Sequence, residues 1–360
     1  MIKDTTFTQA WIVRKSRQYV RGKKKADPML IEKVTKALYL LEELTRTDFK
    51  FIFKGGTSLL LLLNKMHRFS IDIDIIVEDK KQKVELEKLL SEIVENSEIF
   101  NRFEEDVRQG NNEIPKAHYK VFYRSVLDGE TGYVLLDVLF ETSHYQKVIE
   151  KSIDCSFIEY SDPAVNVRMP SVECILGDKL TAYAPNTTGI PYGKSKELEI
   201  IKQLFDVGNL FDEMQDVEAV SNTFRQMAEQ ELAYRRKEKV LTYVDVLNDI
   251  FETSKILSER GRIEKETFDQ LQTGVNRIKD FIFSRNFIIE SAVNSASKAA
   301  YLSLLLKYEI VNVERFDPET NLREYVIDYP KFGKFNSIKK FDPEAFYYWY
   351  KSVELLKSKT

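Results

Sequence analysis

Two aspartates that lie one residue apart in an apolar segment could carry chemistry. Asp72 and Asp74 occur in the run SIDIDIIV at residues 70–77, and alternate residues of a β-strand point to the same face. Two carboxylates about 4 Å apart repel each other by about 4 kcal/mol at an effective dielectric constant of 20. Water, a shared proton or a bound cation can relieve this repulsion. The alternative is that both side chains lie on the solvated face of an edge strand.

A third aspartate favours the cation. Asp137 lies in the apolar run YVLLDVLF at residues 133–140, so we expect a strand that is buried on both faces. A lone carboxylate in such a strand needs a partner. Three carboxylates on adjacent strands form a site of hard oxygen ligands. The sequence therefore predicts that Asp72, Asp74 and Asp137 bind Mg²⁺ or Mn²⁺.

A Gly-Gly-Thr-Ser sequence at residues 55–58 precedes the aspartate pair. Two glycines at the start of a helix expose backbone N–H groups and the positive end of the helix dipole, which suit an anion. The alternative is a tight turn that Thr57 or Ser58 caps without a ligand. Because nucleotide phosphates arrive with Mg²⁺, the combination with the aspartates predicts that Gly55, Gly56, Thr57 and Ser58 bind the phosphates of an NTP.

The elements that would position these residues fall into two regions. In the first region the pattern predicts strands at 51–53, 70–77, 117–126 and 132–140 and helices near 28–44 and 80–99. In the second it predicts helices at 171–184, 194–214, 218–238, 239–258, 264–283, 285–307 and 341–357, with a small strand pair near 309–328. The prediction is an α+β domain at residues 1–165, with a mixed sheet and helices, followed by a mostly helical domain at 166–360.

Composition and charge exclude several classes of protein. Lys and Arg number 54 against 57 Asp and Glu, so the overall charge argues neither for nor against nucleic-acid binding. Cys155 and Cys174 lack the CxxC spacing of a metal or redox site. The longest apolar run, 59–63, is too short to span a bilayer, and we expect a soluble cytoplasmic protein with no membrane contact. Structural or surface roles are predicted for the histidines, His67, His118 and His144.

The run FKGGTSL…HRFSIDIDIIV resembles the AbiEii/MenT nucleotidyltransferase family, the toxins of type IV toxin–antitoxin and abortive-infection systems. Members show GG[TS]xL and then an Arg and a Ser before the DxD motif, here Arg68 and Ser70. They also carry a Lys in a later helix and then a KxxxD segment. Here VECILGDKLTAY supplies Lys179, and EIIKQLFDVGNLFD supplies Lys202 and Asp206.

The resemblance covers residues 54 to about 212. It departs from the family in PNTTGIPYGKSKE, where many relatives have a shorter link that contains Arg. This departure leaves open whether Lys194 or Lys196 contacts the nucleotide. Basic residues of the helical half, including YRRKEK at 234–239, could contact an RNA backbone or could form solvated helix faces.

The resemblance implies a polymerase-beta-like nucleotidyltransferase core, and a helical domain that completes the nucleotide site and forms the acceptor groove. It implies metal-dependent transfer of NMP from an NTP to the 3′ end of tRNA, with release of pyrophosphate, by a toxin that a cognate antitoxin neutralises. The implied catalytic residues are Asp72, Asp74, Asp137 and Lys179. The implied nucleotide-binding residues are Gly55, Gly56, Thr57, Ser58, Arg68, Ser70, Lys202 and Asp206.

Other interpretations stay open at this point. The acceptor could be a protein hydroxyl, on the antitoxin or another target, or a small molecule. The chain could also be a non-catalytic module that binds nucleotide or RNA. Lys179 could be a surface charge of an amphipathic helix, and Asp206 could pair with Lys202 one helical turn away.

Overall fold

The computed structural model describes residues 1–21, 24–63, 68–107, 115–161, 163–235, 240–283 and 285–359. The chain divides into two units. The first unit comprises Met1–Ser171 and a return segment, Asp280–Asn286, and the second comprises Val172–Lys279 and Phe287–Thr360. Within the described ranges, no helix is long and apolar enough to cross a membrane.

The two units differ in secondary structure. In chain order the first unit contains α1 (Gln9–Gln18), β1 (Val20–Arg21), β2 (Lys24–Lys25), α2 (Pro28–Thr45), β3 (Ile52–Lys54), α3 (Gly55–Leu62), β4 (Ile73–Val77), α4 (Lys83–Asn96), β5 (Phe100–Glu105), β6 (Lys116–Arg124), β7 (Thr131–Phe140), β8 (Val148–Ser152) and β9 (Asn166–Pro170). The second unit contains α5 (Val172–Ala182), α6 (Glu197–Glu213), α7 (Val217–Arg235), α8 (Tyr243–Glu259), α9 (Lys265–Ile278), α10 (Ile289–Lys307) and α11 (Pro343–Ser358). The fold is α+β followed by a helical region, which confirms the predicted class.

A mixed five-stranded sheet forms the centre of the first unit. Its strand order is β3-β4-β7-β6-β5. Strands β4 and β7 are parallel, and every other neighbouring pair is antiparallel. The strand with the DxD motif, β4, therefore lies inside the sheet between β3 and β7. This position excludes the alternative in which the two aspartates decorate an edge strand.

The two faces of β4 and β7 differ in burial. Ile73 pairs with Leu136 and Ile75 pairs with Val138, and all four side chains are buried. Asp74 lies between the two isoleucines and therefore projects from the opposite face. Helix α2 contacts β7, and α4 contacts β5. The buried face thus belongs to the core, and the aspartate face is left for the site.

Helix α2 begins where the sequence predicts. Asp27 accepts a hydrogen bond from the backbone N–H of Met29, and Pro28 occupies the first helical position. Ile31, Val34 and Leu38 lie on its buried stripe.

The helical unit has an aromatic centre on α11. The Trp349 side chain is fully buried and lies 4.5 Å from the Phe335 ring, centroid to centroid. The Trp349 indole N–H donates to Ser258 Oγ at 3.1 Å. The run FYYWY at 346–350 therefore packs in the core of this unit, with Tyr350 part-exposed.

Some predicted elements are wrong. The strand pair near 309–328 does not form, and only a short 3₁₀ helix, Leu322–Glu324, lies there. The strand predicted at 70–77 begins at Ile73, so Asp72 precedes it. Strand β7 alternates between buried and part-exposed residues and is not buried on both faces. Strands β1, β2, β5, β8 and β9 have no predicted counterpart.

Candidate active site

Four residues on adjacent strands form one row across the central sheet, which we call the cross-strand row. Asp74 on β4 pairs with Lys54 on β3 and with Asp137 on β7. Asp137 in turn pairs with His118 on β6. Directly opposite residues project from the same face, and neighbouring strands lie about 4.8 Å apart. The row therefore brings an ammonium group, two carboxylates and an imidazole to one face.

Asp74 and Asp137 are the two predicted carboxylates that the sheet brings together. Their strands are parallel, and the residues are direct neighbours in the register. The Asp137 side chain is 29% exposed, so a ligand can reach it. The third predicted carboxylate, Asp72, lies in the segment just before β4, and its carbonyl oxygen accepts a hydrogen bond from Thr57 Oγ1 at 2.6 Å.

Gly55 lies directly against the Asp74 carboxylate. It is the first residue of α3 and has a φ of +81°. A Cβ atom at this position would lie 2.0 Å from Asp74 Oδ2, which is too close for any residue with a side chain. The first glycine therefore does two things: it turns the chain from β3 into α3, and it leaves space for the carboxylate.

Gly56 lies against the two polar residues that precede the DxD motif. A Cβ atom at Gly56 would stand 2.6 Å from Ser70 Oγ and 2.9 Å from Arg68 Nη2. Arg68 is buried, and its Nη1 donates to the carbonyl oxygen of Phe69 at 2.9 Å. The backbone N–H of Phe69 donates to Phe281 in the return segment. The second glycine therefore lets the start of α3 approach a guanidinium and a hydroxyl.

The Thr57 and Ser58 side chains are fully buried. Thr57 Oγ1 donates to the Asp72 carbonyl oxygen, and Ser58 Oγ donates to the Gly55 carbonyl oxygen at 2.8 Å. The two hydroxyls thus hold the turn and the start of the DxD segment. Contact with a phosphate at this helix start would come from backbone N–H groups.

His118 is the site residue for which the sequence predicts a structural or surface role. Its Nδ1 lies 2.5 Å from Asp137 Oδ1, within hydrogen-bond distance. A signal exists in the hairpin: Ser125 N–H donates to the Glu130 carbonyl, and His118 lies seven residues before Ser125 while Asp137 lies seven after Glu130. Counting outward from that turn places His118 opposite Asp137.

Lys54 is a second residue of the row with no role assigned from the sequence. It ends β3 directly before the glycines, and its Nζ lies 5.7 Å from the centroid of the Tyr145 ring. Its register position beside Asp74 puts a positive charge next to the carboxylate pair.

The donors of the predicted metal site have the chemistry that Mg²⁺ or Mn²⁺ requires. Asp74 and Asp137 supply adjacent carboxylates, and Gly55 leaves the Asp74 side of the pair without a covering side chain. Across the residues that the structure describes, no group of three or more His, Cys, Asp and Glu side chains is placed to hold a metal ion. The assignment of Asp72, Asp74 and Asp137 to a metal stays a prediction.

The predicted residues of the second unit form buried and half-buried ion pairs. Lys179 Nζ on α5 lies 3.0 Å from Asp206 Oδ2 on α6, and both side chains are buried. This pair excludes the interpretation of Lys179 as a surface charge. Lys202 Nζ lies 2.9 Å from Glu199 Oε1.

Lys194 and Lys196 line a cavity of about 510 Å³ in the second unit. Both side chains are exposed. The predicted basic run at 234–239 is described only through Arg235, and residues 236–239 lie outside the described ranges, as does His67.

A family model matches most of the chain. The family is described as "Nucleotidyl transferase AbiEii toxin, Type IV TA system", and its model matches residues 40–281, which is 242 of 360 positions. No curated protein sequence matches the chain.

Several solved structures are similar to this one. The crystal structure of JHP933 from Helicobacter pylori has 15% identity and a TM-score of 0.44, and the match covers 79% of this chain and 94% of that one. A nucleotidyltransferase structure from H. pylori has 16% identity and a TM-score of 0.43, with 78% and 95% covered. An antigenic nucleotidyltransferase-like protein from Paracoccidioides brasiliensis has 15% identity and a TM-score of 0.36, with 58% and 94% covered.

Proposed function

This chain belongs to the AbiEii nucleotidyl transferase toxin family of type IV toxin–antitoxin systems, and from that premise we propose that it transfers a nucleoside monophosphate from an NTP to the 3′ end of tRNA. Pyrophosphate is the second product, and a cognate antitoxin neutralises the enzyme in the cytoplasm. The observation that carries the proposal is the register of Asp74 and Asp137, with Gly55 of the α3 start against the Asp74 carboxylate.

The proposed reaction is an in-line displacement at the α-phosphorus of the NTP. The acceptor hydroxyl oxygen forms a bond to that phosphorus, the bond to the bridging oxygen breaks, and pyrophosphate leaves with the electron pair. The hydroxyl proton passes to a carboxylate of the pair, for which Asp137 is the candidate general base. His118, within hydrogen-bond distance of Asp137, holds the orientation of that carboxylate.

Two features of the first unit suit the phosphates of the NTP. Backbone N–H groups at Gly55 and Gly56 lie at the start of α3, where the helix dipole favours negative charge. Arg68 places Nη2 close to Gly56, and a guanidinium can bind a phosphate through two hydrogen bonds. Mg²⁺ or Mn²⁺ bound by Asp72, Asp74 and Asp137 would neutralise charge on the attacking and leaving oxygens.

The second unit supplies the remaining proposed contacts. Lys179 and Lys202 are the candidate cations for phosphate charge, and Asp206 holds Lys179 in place through their 3.0 Å ion pair. We propose that this unit completes the nucleotide site and provides the acceptor groove.

A transfer assay tests the proposal. The purified protein is incubated with each labelled NTP, Mg²⁺ and total tRNA, and labelled RNA and pyrophosphate are measured. Asp74→Asn removes one charge of the carboxylate pair and is expected to lower the rate at least a hundredfold. Asp48→Asn is the matched control, because Asp48 is an exposed carboxylate of the same unit outside the row.

The outcomes separate the possible acceptors. Label in tRNA that depends on Asp74 supports the proposal as stated. Label in the antitoxin, in another protein or in a small molecule would keep the transferase and replace the acceptor. If no NTP yields pyrophosphate with any acceptor, while the protein binds nucleotide or RNA, the chain is a non-catalytic binding module.

A growth assay tests the antitoxin. Expression of the wild-type chain is expected to stop growth, and co-expression of the neighbouring gene product is expected to restore it. Asp74→Asn should not stop growth. Growth arrest by Asp74→Asn would show that the toxicity does not require the carboxylate pair.

A further inference from the structure

The cavity of the second unit has the size of a small-ligand site. Its volume of about 510 Å³ lies in the usual range of about 300–1,000 Å³ for such sites. The walls come from the end of α5, the segment 188–196 and the end of α7. None of the predicted catalytic or metal-binding residues lines it.

The segment after α5 forms a wall that hydrogen bonds hold in place. Asp249 accepts from the backbone and side chain of Asn186 and from Thr187 Oγ1, at 2.8–2.9 Å. Thr188 Oγ1 donates to the Thr181 carbonyl oxygen at 2.8 Å. A Cβ atom at Gly189 would stand 2.6 Å from the Ala182 carbonyl oxygen. The wall is therefore formed before any ligand binds.

The lining combines cations with polar and apolar groups. Lys194 and Lys196 line the cavity, and both side chains are exposed. Arg235 Nη2 donates to the carbonyl oxygens of Thr188 and Gly189. The Arg235 Nε is buried and has no hydrogen-bond partner among the described residues. These groups favour an anion.

The other walls suit the rest of a nucleotide. Ile190 and Pro191 offer apolar surface against which a base can pack. Asp178 and Glu231 add carboxylate oxygens, each of which can accept more than one hydrogen bond, and Glu231 Oε2 lies 3.9 Å from Arg235 Nη2. The combination of phosphate-binding cations, acceptors and apolar surface matches one nucleotide, and it matches neither a bare anion nor an apolar ligand.

Helix α5 separates this cavity from the ion pair that the nucleotidyl transfer would use. Asp178 and Thr181 line the cavity, whereas Lys179 pairs with Asp206. Successive residues of a helix point about 100° apart. One face of α5 can therefore line the cavity while another carries Lys179 to its ion pair with Asp206. Pro191, Lys194 and Lys196 are exposed, so the rim opens to solvent and a bound nucleotide can continue as a chain.

We propose that this cavity binds one nucleotide of the RNA acceptor, away from the end that reacts, with its phosphate at Lys194 and Lys196. The inference rests on the proposed function only in taking RNA as the acceptor. It assigns both lysines to the acceptor strand, whereas the family resemblance leaves open which of them contacts the NTP.

Direct binding tests the proposal without requiring transfer. A short labelled single-stranded RNA, oligoadenylate, is titrated with wild-type protein and with the double variant Lys194→Gln/Lys196→Gln, and anisotropy is measured over a range of salt concentrations. The double variant is expected to bind at least tenfold more weakly. Its plot of log K against log salt should be shallower by about 0.7 for each RNA phosphate that the variant no longer neutralises.

A matched double variant controls for charge. Lys265→Gln/Lys357→Gln removes two exposed lysines of the same unit that do not line the cavity, and it should bind RNA like the wild type. Equal losses of affinity in the two double variants would overturn the proposal, because they would show a general charge effect. Unchanged RNA affinity in Lys194→Gln/Lys196→Gln would overturn it directly.

Competitors distinguish the sources of the nucleotide. Free AMP and inorganic phosphate are expected to displace labelled RNA only at far higher concentrations than unlabelled oligoadenylate. AMP that competes as well as the RNA would make this a free-nucleotide site and overturn the assignment to a strand. A loss confined to NTP binding would assign the lysines to the donor nucleotide.

The same variants separate this inference from the proposed function. If the wild type labels tRNA and the cavity variant binds RNA normally, only this inference fails. If RNA binding depends on the two lysines and no NTP is ever transferred, the inference stands and the proposed enzyme activity fails.

Discussion

His118 Nδ1 lies 2.5 Å from Asp137 Oδ1, across the antiparallel pair β6 and β7. Their side chains are 19% and 29% exposed, so the pair is neither buried in the core nor fully solvated. A carboxylate held at one oxygen by a neighbouring imidazole keeps its other oxygen in a fixed direction. The sheet register alone puts the two residues together.

This relationship predicts how substitutions of His118 will differ. His118→Asn keeps a donor near the position of Nδ1 and should hold nucleotide transfer close to the wild-type rate. His118→Gln and His118→Ala move or remove that donor and should lower kcat about 10- to 100-fold, as the loss of such orienting contacts commonly does. Steady-state kinetics measure the effect, and thermal unfolding is the control. Activity that falls in step with the unfolding temperature in all three variants would assign His118 a structural role instead.

Gly55 and Gly193 both have a positive φ, so a comparison of their alanine variants measures the effect of crowding at Asp74. Gly55 and Gly193 have φ values of +81° and +72°, so an alanine at either carries backbone strain of about 1 kcal/mol. Only at Gly55 does the new Cβ meet a carboxylate, because nothing lies within 4 Å of the Gly193 position. Gly55→Ala should therefore lower the free energy of unfolding by a further 1–3 kcal/mol or so and abolish transfer. Equal losses in urea unfolding would show that Asp74 moves aside freely.

The predictable parts of the fold are those with local signals. Asp27-Pro28 marks a helix start, and the apolar run YVLLDVLF marks a strand, because helix caps and short apolar runs act over a few residues. The failed strand pair at 309–328 shows the limit. Ile327 exchanges both backbone hydrogen bonds with the Asn336 side chain, and Lys339 Nζ donates to the carbonyl of Tyr325. These side chains lie 9 and 14 residues further along the chain and bind backbone groups that a neighbouring strand would otherwise bind. No short sequence pattern predicts such contacts.

The candidate site shows the same limit. The residue types at Asp74 and Asp137 indicate the chemistry, but the partner of each depends on which strands become neighbours. The apolar run around Asp137 predicts a strand buried on both faces, whereas the sheet leaves one face of β7 part-exposed. The pairing of β3 with β4 places Lys54 beside Asp74, and the pairing of β6 with β7 places His118 beside Asp137.

The buried pair of Lys179 and Asp206 predicts a non-additive effect on stability. Asp206→Asn would leave the Lys179 charge buried without its partner and should lower the free energy of unfolding by about 3–5 kcal/mol. Adding Lys179→Met should recover most of that loss, since the uncompensated charge is then absent. Glu199→Gln, which breaks the more exposed pair with Lys202, should change stability by about 1 kcal/mol or less. Additive losses in the Lys179–Asp206 cycle would contradict the prediction.

Lys36 on α2 predicts a dependence of stability on pH. Its side chain is buried, with Nζ 4.7 Å from the centroid of the Phe7 ring, and burial lowers the pKa of Lys36 from 10.5 to about 8, against the opposing charge of Glu32. Between these two pKa values the unfolded chain binds more protons than the folded one, so the contribution of Lys36 to stability rises with pH.

Lys36→Met should therefore stabilise the protein by about 1–3 kcal/mol near pH 7, and the gain should shrink as the pH rises from about 8 to 10.5. Urea unfolding of variant and wild type at several pH values measures the difference. Lys33→Met on the same helix, at a part-exposed position, is the control. A gain that stays constant across the pH range would show that the Lys36 charge is not the cause.

The pairing of Asp74 with Asp137 also has a consequence for when the candidate site can form during synthesis. The two residues are 63 positions apart in the sequence, and β7 lies between β4 and β6 in the sheet. Contacts of such long range form slowly, and only after the intervening chain exists. A ribosome-bound chain that ends before β7 has no carboxylate pair. The proposed carboxylate pair therefore forms only after β7, the middle strand of the sheet, has been synthesised and inserted.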